Sequence, residues 1–365
     1  MPHTAGMSLL SSSCLRSTIK KTTVGLIGSV TTFVFIRSDS FAGHFMSVIC
    51  AVIAYEYYYI IVPGFQDFEV IDPKRHVLKG ENYLTNHENF TYNLEPASVR
   101  RKRGPSKMFL VLSSFVMTYF AHYGNSKFYS TSLTMITSVV VSLHFIFRWN
   151  KGNASPTILD LFDLFIDVLG IFITWLMGHI ILLRYYPMYG TAYVTIVFLV
   201  AWTADAGALV FGKLFGKYTP KLMPRTSPNK TVASLLGAIV VGVLTMTSLG
   251  FVLMQRGYFF RINFSLQPPP LSSYVPLVSI GFVLGISSVV GDTFESIIKR
   301  AARVRHSGAT LPGYGGFLDY FNSVAACAVV MYYFIVPIFI PFWENYNFGL
   351  INRILYVWFG LRFEW

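Results

Sequence analysis

Charge is scarce in this sequence. Asp, Glu, Lys and Arg make up 13% of its 365 residues, against about 25% in ordinary soluble domains. With a mean hydropathy of +0.52, that shortage excludes a soluble enzyme covered in charged side chains. Acids are fewer than bases, 17 against 29, for a formal net charge of +12. Such an imbalance suits nucleic acid, an anionic membrane surface or a phosphorylated substrate, and the placing of the cations favours the last two. Nucleic acid is therefore not an expected partner. Cysteine is nearly absent. Cys14, Cys50 and Cys327 lie far apart without metal-ligand spacing, so neither a disulfide framework nor a zinc site is indicated. No repeat of fixed period and no low-complexity tract is evident, which disfavours solenoids and disordered polymers. What fills the chain instead is apolar and aromatic: 53% hydrophobic residues, with 33 Phe and 22 Tyr. It reads as an integral membrane protein.

Crossing a hydrocarbon core of about 30 Å takes about 20 mostly apolar residues in a helix. Runs of this kind predict an all-α polytopic membrane protein of eight or nine transmembrane helices. They fall at about Val24–Ile36, which is short, Phe45–Val62, Met108–Tyr123, Phe128–Phe147, Leu164–Leu183, Thr191–Val210, Val232–Met254, Pro276–Val290 and Val324–Trp343. The chain then divides into 1–62, a basic segment with the first membrane helices, 63–107, an extramembrane segment, and a membrane domain at 108–365. Up to Arg37 the sequence has Arg16, Lys20 and Lys21, several Ser and Thr, and no acid before Asp39. That composition resembles a mitochondrial transit peptide and equally fits a basic flank before a first span. The mitochondrial inner membrane and the endoplasmic reticulum are both expected locations. Three basic clusters, Arg100–Arg103, Lys213–Lys230 and Lys299–Arg305, carry the signal that places loops on the cytoplasmic or matrix side, and the last two are expected to share a side.

Ionisable residues inside apolar runs are costly, so each marks either a function or a buried pair. Asp292, Glu295 and Lys299 fall at i, i+3 and i+7, on one helical face at the end of a span. Arg300, Arg303, Arg305 and His306 follow, then Pro312-Gly313-Tyr314-Gly315-Gly316 and Asp319. Carboxylates for a hard divalent cation and cations for phosphate oxygens are what a nucleoside triphosphate with Mg²⁺ needs. The Gly-rich turn allows a close backbone approach to a ligand. A helix cap with a solvated basic end explains the same residues equally well. Asp205, with Gly207, Gly212, Lys213, Gly216 and Lys217 after it, reads either as a polar cavity or as a capped, hydrated helix end. From Gly212 to Thr231 there are five cations and no acid, which attract phosphates or snorkel at the interface, the latter the simpler account. Asp160, Asp163 and Asp167 form an acidic helical face, better explained by the positive end of a helix macrodipole than by a cation site. Glu56 stands among Tyr55, Tyr57, Tyr58 and Tyr59, where a tyrosine hydrogen bond is the expected partner.

Taken together, these motifs resemble the integral-membrane phosphatidate cytidylyltransferases, the CDP-diacylglycerol synthases. Their signature runs S-x-x-K-R, four residues, K-D, then P-G-H-G-G and D-R-x-D. Ser296, Lys299, Arg300, Gly308, Leu311, Pro312, Gly313, Gly315, Gly316 and Asp319 stand at its offsets without insertion or deletion, and Asp292 and Glu295 match the lead-in G-D-x-x-E-S. Asp205, Ala208, Gly212, Lys213 and Gly216 match D-x-x-A-Y-x-x-G-[RK]-x-x-G, while Ser227, Pro228, Lys230 and Thr231 match S-P-K-K-T. The likeness covers about Tyr189–Ser323. It departs where the family has K-D (Arg305-His306), the signature His (Tyr314) and D-R-x-D (Asp319 to Asn322), and at Leu209, Asn229, Val232, Ala233 and Ser234.

The resemblance implies transfer of a cytidylyl group from CTP to phosphatidate in the membrane, forming CDP-diacylglycerol and pyrophosphate. It gives Asp292, Asp319, Lys299 and Arg300 catalytic roles, and makes Asp292, Glu295, Asp319 and Asp205 ligands of Mg²⁺. Phosphate contacts fall to Lys230, Ser227, Thr231, Lys213, Ser296, Gly315 and Gly316. His306 and Asn322 replace two hard carboxylate ligands, a loss that weakens Mg²⁺ binding. The other reading is therefore a degenerate member that keeps the scaffold as a lipid-binding or structural subunit of a larger membrane complex. Homodimerisation is a further implication of the likeness. A transporter is a third reading, disfavoured because no inverted repeat or symmetric pair of broken spans is visible.

Overall fold

The structure is a computed structural model describing residues 41–66, 105–122, 126–149, 158–186, 189–224, 226–255, 274–312 and 315–340, with scattered positions between 23 and 38. Most of the basic N-terminal segment, part of the Val24–Ile36 run, most of the extramembrane segment with its Arg100–Arg103 cluster, Gly313 and Tyr314 lie outside the described residues.

Where the sequence is a long apolar run, the chain is helical, because hydrocarbon offers backbone N–H and C=O groups no partner outside their own helix. The helices are α1 (Ala42–Glu56), α2 (Lys107–Ala121), α3 (Ser126–His144), α4 (Ile158–Arg184), α5 (Gly190–Phe215), α6 (Val232–Gln255), α7 (Tyr274–Ala301) and α8 (Phe317–Val330). α1 is prolonged through a π-helical turn, Tyr57–Ile61, to Gln66, and α8 through a π-helical stretch, Met331–Phe339. Seven of these, all but the 15-residue α2, are long and apolar enough to cross a membrane. The chain is an all-α polytopic membrane protein, and among the described residues α2 is a further, shorter apolar helix. One element departs from the helical expectation. Between α5 and α6, β1 (Lys221–Met223) and β2 (Ser227–Thr231) pair antiparallel, Lys221 opposite Thr231 and Met223 opposite Ser227.

Two compact units result, neither contiguous in sequence. The first is drawn from Met1–Phe120, Lys127–Trp175 and Ile298–Tyr320. In it the prolonged α1 packs on α4 through hydrogen-bonded phenols. Tyr57 Oη donates to the Ile166 carbonyl at 2.9 Å and Tyr58 Oη to the Asp167 carbonyl at 2.6 Å. Gly170 makes room for them, since a Cβ there would stand 2.6 Å from the Tyr57 ring. Asp160 occupies the first turn of α4, where the macrodipole favours a carboxylate. Asp167 instead pairs with buried His144, 2.9 Å away.

The second unit comprises Ala121–Ser126, Leu176–Ile297 and Phe321–Trp365. Here the helices close on one another through glycine, as membrane helices do when small residues let backbones approach. A Cβ on Gly207 of α5 would lie 2.6 Å from the Gly237 carbonyl oxygen of α6, and one on Gly285 of α7 would lie 3.0 Å from the Ala238 carbonyl oxygen of α6. Gly291 of α7 similarly abuts the Asn322 carbonyl oxygen at 2.6 Å. Thr203 and Thr245 hydroxyls bond across α5 and α6 at 2.8 Å. Thr231 ends the hairpin as the cap of α6, its Oγ1 accepting from the Ser234 amide at 3.3 Å.

Candidate active site

Three segments of the second unit bring polar side chains together: the late part of α5, strand β2 and the last turns of α7 with the chain from Phe321. Lys230 on β2 places its ammonium 2.8 Å from Asp292 Oδ2 and 2.9 Å from the Thr293 hydroxyl. The Asp292 side chain is 40% exposed, so the pair is not closed off inside the unit. Asn322 is the hub of the carboxylates. Its Nδ2 donates to Glu295 Oε2 at 2.8 Å and, more weakly, to Asp292 Oδ1 at 3.4 Å. Its Oδ1 accepts from the Ser323 amide and hydroxyl at 2.5 and 3.1 Å. Asp205 on α5 accepts from Ser288 Oγ at 2.5 Å, also bonds Ser323, and lies within electrostatic reach of Asp292 and Lys230.

Asp292 and Asp205 thus lie near the Lys230 ammonium, and Asn322 joins Glu295 to Asp292. When all three carboxylates are ionised the cluster carries an excess of two negative charges near the end of membrane spans, which a hard divalent cation would balance. Among the described residues, no three or more His, Cys, Asp or Glu side chains are arranged to hold a metal ion by themselves. Mg²⁺ makes a smaller demand, since it binds through one or two carboxylates and completes its shell with water and substrate phosphates. Asp292 and Glu295, joined by one amide, meet that demand in donor chemistry.

The remaining signature residues lie in the first unit, and there the structure changes their meaning. α7 ends in a Schellman turn: Val304 donates its amide to the Lys299 carbonyl at 2.9 Å, and Arg303 takes the left-handed conformation (φ 58°) that glycine usually fills. Lys299, buried, binds Asp319 Oδ1 directly. Asp319 Oδ2 accepts the amides of Ser307 and Gly316, both at 2.9 Å, with His306 Nδ1 at 3.8 Å. The expected metal ligand and the expected phosphate cation therefore neutralise each other. Gly315, at φ 116°, has Asp319 Oδ2 where a Cβ would be, and Gly316 has Ser307 Oγ and Glu56 Oε2. The Gly-rich turn gives close approach, as its composition implies, but the groups approaching are side chains of the protein.

Glu56 is the residue that sequence reasoning misassigned. Tyr57 and Tyr58 donate to α4, and the Glu56 carboxylate, fully buried, receives the first amides of α8. Phe317 N donates to Oε1 at 2.9 Å and Leu318 N to Oε2 at 3.0 Å. Thr310 and Ser307 hydroxyls complete the set at 2.5 and 3.4 Å. The Ser307 hydroxyl also accepts the Asp319 amide at 3.3 Å. The N-terminus of α8, which the motif offers to a phosphate, already holds an anion.

The other expected residues fall into two groups. Thr231 is buried and used as the α6 cap, while Ser227 pairs within the hairpin. Lys213 and Arg300 are exposed, Arg300 reaching back to the Val304 carbonyl at 3.3 Å, and Ser296 is half-buried. Gly212 and Gly216 leave the space that Ser234 and Thr231 occupy.

The sequence profile of the cytidylyltransferase family matches residues 89–338, more than half of the chain. The chain is 34% identical over 169 residues, 46% of its length, to phosphatidate cytidylyltransferase of Bacillus subtilis strain 168, covering 56% of that protein. It is 37% identical over 134 residues to the Staphylococcus epidermidis RP62A enzyme of the same name and 34% identical over 134 residues to that of Staphylococcus aureus COL, in each case 37% of this chain and 45% of the relative. The chain thus spans about half the length of the curated relatives it matches. It belongs to the cytidylyltransferase family.

Proposed function

We propose that the chain is a CTP:phosphatidate cytidylyltransferase, with phosphatidate and CTP as its substrates in the membrane. The Lys230–Asp292 pair carries this reading, because it sets a cation suited to phosphate and a partly exposed carboxylate side by side late in a membrane-length helix. In the reaction an oxygen of the phosphatidate phosphate attacks the α-phosphorus of CTP, a new P–O bond forms, and the bond to the leaving pyrophosphate breaks. The lipid phosphate supplies the nucleophile, so the protein positions groups and stabilises charge. Lys230 has three N–H donors. Asp292 and Thr293 take two, and the third is directed to a phosphate oxygen. Thr293 and Asp292 fix the ammonium so that little ordering is left to occur on binding. Mg²⁺, held by Asp292 and Glu295, would supply charge neutralisation on the triphosphate. Lys213 and Arg300, both exposed, add attraction for the polyanionic nucleotide.

Purified protein in detergent, given CTP, phosphatidate and Mg²⁺, should release pyrophosphate, and Asp292→Asn should abolish the release. No turnover under conditions in which a phosphatidate cytidylyltransferase works would leave the second reading, an inert lipid-binding subunit, to which the Asn322 and His306 replacements point. The compartment we propose is the mitochondrial inner membrane, on the acid-free basic N-terminal composition. Fractionation of cells expressing the tagged full chain tests it, and recovery with endoplasmic reticulum would overturn it.

A further inference from the structure

We infer that Glu56 is the positioning residue of the signature segment: delivered from α1, it fixes Ser307, Thr310 and the start of α8 in place and through them the Lys299–Asp319 pair. The inference rests on the cytidylyltransferase reading for the importance of that segment. Glu56 lies outside the stretch matched by the family profile, which begins at residue 89, so no family motif marks it.

The geometry is a complete accounting of donors. The first amides of a helix have no partner within it and must find one elsewhere. For α8, Phe317 and Leu318 donate to the two oxygens of Glu56, Asp319 donates to Ser307 Oγ, and Gly316 donates to Asp319 Oδ2. A local Ser, Thr or Asp before the helix would cap it equally well. The position holds Gly316 instead, because a side chain there would collide with Glu56 and Ser307. Gly308 is similarly constrained, since its Cβ would lie 2.9 Å from Glu56 Oε1. Two glycines of the segment are thus shaped to a carboxylate that arrives from about 250 residues earlier. Gly64, on the continuation of α1, abuts the Ala302 carbonyl and makes a second tie to the same segment. Glu56 touches Ser307, and the Ser307 amide is one of the donors that fix Asp319. The chain of contacts therefore runs from Glu56 to Asp319 to Lys299 without a gap.

An ionised carboxylate suits four donors and a glutamine does not. Replacing one oxygen by an amide NH₂ sets donor against donor on whichever side it lies. The test compares wild type, Glu56→Gln and Glu56→Asp as full-length protein in detergent, by hydrogen exchange and by steady-state kinetics with CTP. Glu56→Gln should raise amide exchange at Gly316–Asp319 by about tenfold or more, on the scale of one or two lost charge-assisted hydrogen bonds, with peptides of α5 and α6 unchanged. It should lower kcat by at least about tenfold while the KM for CTP, set by Lys230 in the other unit, moves less than about threefold. Glu56→Asp keeps the charge on a shorter arm and should fall between the two. It also decides the question alone if the Gln variant does not fold. Unchanged exchange at Gly316–Asp319 in the folded variants overturns the inference, and raised exchange with kcat intact reduces Glu56 to a helix cap and overturns its positioning role. A wild type that binds its segment tightly by exchange but turns over no CTP sinks the cytidylyltransferase reading and leaves the tether supported.

Discussion

Asn322 does at one position what a cation would otherwise have to do. Its amide stands between Asp292 and Glu295, where the family pattern has an aspartate, and donates to both. An aspartate there would leave three carboxylates facing one another in a partly dehydrated site, and like charges so placed disfavour each other's ionised forms unless a cation intervenes. Asn322→Asp should therefore destabilise the metal-free protein by about 1–3 kcal/mol, the cost of removing the partner of a buried polar group. At about 2–4 °C per kcal/mol, the thermal midpoint in EDTA falls by roughly 2–12 °C. Mg²⁺ should raise the midpoint of the variant more than that of wild type, and equal midpoints in EDTA would show that Asn322 does not replace a charge. Lys230→Ala removes one charge-assisted bond worth about 1.5–3 kcal/mol, which predicts a rise in the KM for CTP of roughly 10–100-fold. A smaller effect than Arg300→Ala would move the nucleotide contact from β2 to the end of α7. Asp292 and Lys230 were legible in the sequence because each sits in a spaced motif. Glu56 was not, since its partners are about 250 residues away and the tyrosines beside it offered a nearer explanation.

At the scale of elements, the helices follow from apolar runs and their ends do not. The apolar run from Leu164 to Leu183 marks α4, yet the helix begins at Ile158, because Asp160 gains from the macrodipole what its polarity costs in a span. The hairpin was not legible. Ser-Pro-Asn-Lys-Thr has no strand-like alternation of apolar residues, and β2 forms because α5 and α6 must be joined where both leave the membrane, with the Val232 amide closing the turn on the Pro220 carbonyl at 3.0 Å. That join depends on how tightly α5 and α6 pack. A Cβ on Gly237 would stand 2.6 Å from the Gly207 carbonyl oxygen and 2.5 Å from Phe211 Cβ. Gly237→Val should then cost about 1–3 kcal/mol of overpacking and shift the thermal midpoint down by several degrees. Leu244→Ala, on a side chain that is 61% exposed, should shift it much less. Equal shifts in the two variants would mean that α5 and α6 are not held by their glycines.

For the molecule as a whole, the order of crossings decides which charges share a face. α5, α6 and α7 are consecutive helices of membrane length. If each crosses, the chain leaves the membrane after α5, crosses back through α6 and returns through α7. The join after α5, with Lys217, Lys221 and Lys230, and the cations that end and follow α7, Arg300, Arg303 and Arg305, are then expected to face one aqueous compartment. Two clusters of cations on one side is also what the bias of basic residues toward the cytoplasmic or matrix face predicts, and under the proposed function a polyanionic nucleotide drawn to either would arrive on the side where Lys230 stands. Single cysteines in a chain lacking Cys14, Cys50 and Cys327 test the count in sealed vesicles. Lys217→Cys and Arg305→Cys, both at exposed positions, should react with an impermeant maleimide added to one and the same side. Tyr274→Cys, at the start of α7, should react only from the other. If Lys217→Cys and Arg305→Cys label from opposite sides, either α6 or α7 fails to span, and a nucleotide drawn to one cluster would meet the other only across the bilayer.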